Sequence, residues 1–252
     1  MIKIIMHGCN GKMGQVISDI VRNDDELTIV AGIDPFTVRE NEYPVFDDIY
    51  KCDIIADVII DFATATAVDK LLAYAKERKI PVVLCTTGLS DEQLKSVEDA
   101  SNEIAILKSA NMSVGVNLLF KLVQEATKML AKDYDIEIVD RHHNQKVDAP
   151  SGTAVKTAQL IQEVRTPKAQ GHLEEKETIK GARGGDFDGM RIHSVRLPGL
   201  VAHQQVLFGG DGQLLTIRHD SLNRNSFMSG VAFCIEEVMK MDQLVYGLEN
   251  II

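Results

Sequence analysis

Tryptophan is absent from this chain of 252 residues, and the whole aromatic content is 5%. Platforms on which nucleic-acid bases could stack are therefore scarce. Base is outnumbered by acid: 27 Lys and Arg stand against 37 Asp and Glu, a formal net charge of -10. Such a field repels polyanions, which excludes nucleic acid and anionic membrane surfaces as partners. No apolar run approaches the roughly 18 residues of a membrane span. Cys9, Cys52, Cys85 and Cys234 are too far apart to form a zinc or redox motif. Four scattered thiols fit a reducing compartment, so a cytoplasmic location is expected. There is no internal repeat and no low-complexity segment. The opening run, Ile2-Lys3-Ile4-Ile5-Met6, is too short for a secretory leader and reads as a first strand.

The chain does have a concentration of chemistry between Asp140 and Ala154. Two imidazoles (His142, His143), a cation (Lys146), two acids and a Ser151-Gly152-Thr153 turn follow one another there. Imidazole titrates near neutral pH and can give or take a proton under working conditions. Lys146 suits a carboxylate or donates a proton. Pro150 ends a preceding element, and Ser151 or Thr153 caps a helix that carries Ala154, Ala158 and Ile161 on one side. The free N–H groups of that first turn bind an anion, with close approach allowed at Gly152. A metal is not expected, because adjacent His142 and His143 point to opposite faces of an extended segment and no further ligand spacing exists.

The first half reads as a dinucleotide fold. Strand Ile2–Met6, the loop Gly8-Cys9-Asn10-Gly11-Lys12-Met13-Gly14 and a helical spacing of Met13, Val16, Ile17 and Ile20 follow in order. Gly8 serves the tight turn, Gly11 the approach to a pyrophosphate, and Gly14 the packing of helix on strand. A second strand, Leu27–Ile33, ends at Asp34, where a ribose hydroxyl is gripped. Further strands are predicted at Val58–Asp61, Pro81–Cys85 and Ile104–Leu107. Helices are predicted around Val68, Leu71, Leu72 and Ala75, and from Asp91 to Ser101. This alternation implies a doubly wound parallel sheet, with ligands at the carboxyl ends of the strands. The loops Phe62–Thr64, Cys85–Gly88 and Ser109–Met112 fall there.

The second half is organised as α+β. A long amphipathic helix opens at Ser113 with Val116, Leu119, Phe120, Val123 and Leu130 on one stripe. Strand Asp135–Val139 then delivers His142 on a loop. Thr166–Gly189 reads as a mobile Gly-rich loop. Strands Arg191–Leu197, Ala202–Phe208 and Gln213–His219 are joined by short turns, which favours antiparallel pairing throughout. A final helix from Ser226 to Met239, with Phe227, Val231, Ile235 and Val238, returns to the first domain. The expected fold class is α/β: a Rossmann-type domain (1–113 plus 223–252) with an inserted α+β substrate and oligomerisation domain (114–222).

In these motifs the chain resembles the 4-hydroxy-tetrahydrodipicolinate reductase family, also called dihydrodipicolinate reductase. Asp140–Ala154 fits its HHxxKxDAPSGTA signature without a gap. Gly8–Gly14, Thr86-Thr87-Gly88 and Ala110-Asn111-Met112-Ser113-Val114-Gly115-Val116-Asn117 match in order. The resemblance implies reduction of a small cyclic dicarboxylate to tetrahydrodipicolinate by NADH or NADPH, in lysine and diaminopimelate synthesis, by a homotetramer. It implies His142 as proton donor with Lys146 as a second, and substrate contacts at His143, Lys146, Gly152 and Thr153, beside Ser151. Cofactor contacts are expected at Gly8, Cys9, Asn10, Gly11, Lys12, Met13, Asp34, Phe62, Cys85, Thr86, Thr87, Ser109, Ala110, Asn111 and Met112.

Two positions depart from the family pattern, Cys85 for Gly and Met112 for Phe, and Cys85 is expected to crowd the nucleotide and to carry an oxidisable thiol. Pro35 and Phe36 follow Asp34 where some members carry a base. That leans toward NADH by charge repulsion, while Lys12 is within reach of a 2′-phosphate. Use of both cofactors is expected, with NADH at least as good. The rival functions are a reductase of another imine or keto acid and a non-catalytic nucleotide sensor.

Overall fold

The computed structural model describes residues 1–36, 40–170, 176–223, 226 and 230–252. In chain order the elements are β1 (Ile2–His7), α1 (Lys12–Arg22), β2 (Leu27–Ile33), β3 (Val45–Phe46), β4 (Val58–Asp61), α2 (Val68–Arg78), β5 (Val82–Leu84), α3 (Asp91–Ala100) and β6 (Ile106–Lys108). There follow α4 (Val114–Leu130), β7 (Asp135–His142), α5 (Gly152–Val164), β8 (Gly185–Phe187), β9 (Met190–Arg196), β10 (Ala202–Gly210), β11 (Gln213–Ser221), α6 (Val231–Val238) and β12 (Leu244–Tyr246). The chain divides into two compact units, Met1–Val114 with Phe227–Ile252, and Gly115–Ser226.

The first unit is built on a seven-stranded sheet of order β12-β6-β5-β4-β1-β2-β3. Every pairing in it is parallel. Both faces are covered, which is why its central strands are apolar without alternation: β4 is buried at all four positions. One face packs on α2 and α3 through Leu71, Leu72, Ala75, Val97 and Ala100. The other packs on α1 and α6 through Ile17, Val21, Val231, Ile235 and Val238. The final helix thus returns to the sheet of the first half, as its apolar stripe predicted. Its described part is Val231–Val238, and Phe227 lies outside the described residues. Strands β3 and β12 are short edge strands that the sequence reading did not anticipate. The order of the sheet runs in opposite directions from β1 and β4, so the switch point lies between those two strands.

The second unit is a five-stranded sheet of order β11-β10-β7-β9-β8 with helices on one face. Val116, Leu119, Phe120 and Val123 of α4 and Ala154, Ala158 and Ile161 of α5 pack on Ile136, Ile138, Ile192, Val206 and Phe208. Full burial of each of the larger side chains among them, the Val, Leu, Ile and Phe, contributes about 1.5–3 kcal/mol. Antiparallel pairing holds for β10 with β11 and for β10 with β7. It does not hold for β9, which runs parallel to β7 and does not touch β10 in the sheet. The short turn at Pro198-Gly199 therefore carries the chain across β7 rather than closing a hairpin. Within the expected Thr166–Gly189 loop, Gly185–Phe187 forms β8 against β9, and residues 171–175 lie outside the described residues.

Candidate active site

The parallel sheet brings the predicted nucleotide loops of the first unit to one edge. Gly8 follows β1 with φ +82°, and a Cβ there would lie 2.6 Å from the backbone O of Phe62. Only glycine fits this left-handed turn against the β4 loop. A Cβ at Gly14 would strike Gly8 O and the Cys9 backbone. Gly14 thus packs the helix on the turn itself rather than on a strand. Helix α1 starts at Lys12 with Gly11 as N-cap, and no side chain caps it among the described residues. Its first N–H groups stay available to an anion.

Asp34, at the end of β2, is 7% exposed. Its Oδ2 accepts the Asn10 N–H at 3.0 Å and its Oδ1 accepts the Phe36 N–H at 2.9 Å. The carboxylate therefore ties the Gly-rich loop to the tip of β2, which orders the loop that a ribose would meet. Cys85 N–H donates to Asp61 O at 2.9 Å and Ser109 N–H to Leu84 O at 3.1 Å, which places the Thr86 and Asn111 loops side by side. Ser109 Oγ closes its own loop on Asn111 O at 3.0 Å. Thr86 Oγ1 is buried with no hydrogen-bond partner among the described residues. The uncapped helix, the glycine cradle and this orphaned hydroxyl fit a dinucleotide.

Three of the predicted contact residues turn inward. Cys9, Cys85 and Met112 belong to the core between the sheet, α1 and α6, and Cys234 Sγ lies 3.2 Å from Met112 Sδ. Cys85 is 5% exposed. Burial, the nearby Asp61 charge and Cys234 push its thiol well above the ordinary value. The Cys85 side chain is thus turned into the core. The strand alternation that buries Val83 also buries Cys85. One pair escaped the sequence reading. His7 Nδ1 lies 2.6 Å from Asp61 Oδ1, at the ends of the two strands that flank the switch point. The two residues are 54 positions apart, and no local pattern announces them.

In the second unit, β7 extends to His142, so this histidine stands on the strand and not on the following loop. Two residues before it, Asp140 points to the same side and is fully buried. Ser194 Oγ donates to Asp140 Oδ1 at 2.5 Å. Arg196 Nη2 donates to Asp140 Oδ2 at 3.1 Å, and the Ser151 N–H donates to the same oxygen at 3.3 Å. His142 Nδ1 lies 3.1 Å from that oxygen too, without the alignment of a full hydrogen bond. His143, beyond the strand, is exposed, and its carbonyl receives the Lys146 N–H at 3.2 Å. Lys146 Nζ is held by Asp148 at 2.7 Å. Pro150 follows a cis peptide and ends the loop, eight residues after β7. Of the two capping candidates, Ser151 is the cap: its Oγ accepts the Ala154 N–H at 3.2 Å. Thr153 lies inside α5, half-buried, and Gly152 is exposed with open space where a Cβ would stand.

Burial alone would raise the Asp140 carboxyl. The contacts from His142, Ser194, Arg196 and Ser151 outweigh it and hold the group down from 3.8 to about 2. A depressed carboxyl contributes stability above its unfolded value and loses it as pH falls through the folded one. Acidification from about pH 4 to about pH 2 is therefore expected to remove about 2 kcal/mol through this residue. Urea unfolding at stepped pH checks this, and an Asp140→Asn protein with the same acid slope would contradict it.

A doubly wound sheet with a glycine cradle, joined to an α+β unit that carries an imidazole, a lysine and a capped helix start, defines the class of two-domain nicotinamide-nucleotide reductases. The family described as dihydrodipicolinate reductase, N-terminus, matches residues 2–112, and its C-terminus counterpart matches residues 115–252. The chain belongs to the dihydrodipicolinate reductase family. It is 52% identical to the 4-hydroxy-tetrahydrodipicolinate reductase of Lysinibacillus sphaericus, over 100% of this chain and 99% of that one. It is 48% identical to the enzyme of that name from Streptococcus thermophilus, over 100% and 99%. The dipicolinate-bound dihydrodipicolinate reductase of a Paenisporosarcina species superimposes with a TM-score of 0.92 at 43% identity, covering 100% of both chains. A probable dehydrogenase from Thermotoga maritima shares the fold, with a TM-score of 0.65 at 14% identity.

Proposed function

We propose that this chain reduces 4-hydroxy-tetrahydrodipicolinate to tetrahydrodipicolinate with NADH or NADPH, on the route to diaminopimelate and lysine. The observation that carries the reading is the β7–α5 segment, which carries His142 at the strand end, Lys146 in the loop and the Ser151–Thr153 turn at the start of the helix. A bound nicotinamide supplies the hydride. His142 gives the proton that quenches the electron density left on the ring. The substrate carboxylates meet the N–H groups of Gly152 and Thr153 and compete with Asp148 for Lys146, beside His143. Backbone groups of Gly8 to Met13 and of Cys85, Ser109, Ala110 and Met112, with Asp34, Phe62, Thr86, Thr87 and Asn111, hold the nucleotide.

The test follows nucleotide oxidation by absorbance, with the substrate generated in place from pyruvate and aspartate semialdehyde by the preceding synthase. Oxidation that depends on the synthase is the expected result. Its absence, with nucleotide still binding, would sink the assigned substrate. Run in parallel, NADH is expected to give a kcat/KM at least equal to that of NADPH, because Asp34 carries a charge that repels a 2′-phosphate. A KM for NADPH about tenfold lower, roughly 1.4 kcal/mol of preference, would contradict that.

A homotetramer built on the face of the five-stranded sheet that α4 and α5 leave uncovered is part of the same reading. Leu214, on that face, is 66% exposed. Sedimentation of the free chain is expected to give four copies. Among the described residues no helix is long and apolar enough to cross a membrane, and the four free, buried cysteines fit a cytoplasmic location.

A further inference from the structure

We propose that Asp140 is a positioning residue that fixes the tautomer of His142, keeping the proton on Nδ1 and leaving Nε2 as the nitrogen that handles the transferred proton. This rests on the reading of His142 as proton donor. Asp140 and His142 stand two apart on β7, hence on one face of the strand. The carboxylate is fully buried and cannot turn away, since Ser194, Arg196 and Ser151 hold it from β9 and from the cap of α5. Its Oδ2 stands 3.1 Å from Nδ1. An unprotonated Nδ1 would set its lone pair against that anion. A protonated one meets it with a donor and needs only a small ring rotation to align, a tightening common when a site fills.

The remaining charges around the ring leave this preference in place. Arg196, opposite His142 on β9, spends its Nη2 on Asp140 Oδ2 and on Asp148 O at 2.7 Å. Asp148 is paired with Lys146. Ala202, the neighbour on β10, carries no charge. A buried acid that orients an imidazole through the nitrogen remote from the chemistry is the logic of second partners at histidine sites. The same oxygen that faces His142 also accepts the Ser151 N–H. Asp140 thereby sets the proton donor and the anion turn in one register, a coupling the linear motif does not reveal.

The experiment is a nitrogen NMR spectrum of the full-length protein labelled at histidine, taken at alkaline pH where the ring is neutral. The His142 signal is assigned by its loss in His142→Gln. The expected result is a neutral His142 protonated at Nδ1, the minor tautomer of free imidazole side chains. In Asp140→Asn the proton moves to Nε2, and kcat falls about tenfold or more with the nucleotide KM unchanged. A His142 protonated at Nε2 in the unaltered protein overturns the proposal, and this reading does not depend on the Asp140→Asn protein. A folded Asp140→Asn with unchanged tautomer and kcat overturns it as well. If His142→Gln keeps its kcat, the proton-donor reading itself fails, whatever the tautomer, so the two failures are distinct.

Discussion

Replacing His142 with alanine is expected to lower kcat by about 10²–10⁴-fold, the usual contribution of a positioned acid, with nucleotide affinity unchanged. Hydride delivered to one carbon of a conjugated ring leaves electron density elsewhere, and a proton must meet it. Water does this slowly, because it is neither held nor acidic enough. His142 is held: it ends a strand, it is partly buried, and Asp140 stands behind it. Affinity for nucleotide is a separate property, since the glycine cradle and Asp34 belong to the other compact unit. Lys146→Ala makes the contrast. It is expected to raise the substrate KM and lower kcat together, because a carboxylate partner acts in the ground state as well as in the transition state. Steady-state kinetics with nucleotide titration separates the two. An unchanged kcat in His142→Ala would remove this residue from the mechanism.

Gly8→Ala is expected to abolish nucleotide binding and to destabilise the fold by about 1–3 kcal/mol. The backbone sits at φ +82°, and the added Cβ would lie 2.6 Å from Phe62 O, 2.8 Å from Phe62 C and 2.9 Å from Ala63 N. All three are main-chain atoms at the end of a buried central strand, so nothing flexible can yield. The turn must open, and with it the N-terminus of α1 moves away from where a pyrophosphate would lie. Gly209→Ala is the control, because its Cβ would meet nothing within 4 Å and its φ is not positive. Thermal unfolding with and without NADH reads both effects. A Gly8→Ala protein that still gains stability from NADH would refute the cradle.

The register of β1, loop and α1 was legible in the chain because it is local. Apolar strand residues, glycines at fixed offsets and a helical stripe all lie within twenty-two residues of the start. The same holds for the apolar faces of α2, α4 and α6 and for a cap at the start of α5, although the choice of Ser151 over Thr153 was the structure's. Boundaries were less legible where burial, rather than composition, extends an element. Strand β7 runs on through the polar residues Asp140, Arg141 and His142, because β10 and β9 pair with them on both sides. Cys85 falls at a strand end and Met112 in a loop by sequence, yet both side chains complete the core beneath α6.

The sequence by itself determined the class of each half, the identity of the chemical groups and the loops that carry them, since periodicity and turn chemistry act between near neighbours. Only the tertiary structure decided that β9 lies parallel to β7. Only there do Ser194 and Arg196 meet Asp140 across 54 and 56 positions, and His7 meet Asp61 across 54. These contacts depend on which strands pair. Strand pairing is settled by the burial of whole faces against helices, a free energy that no short stretch of the chain contains.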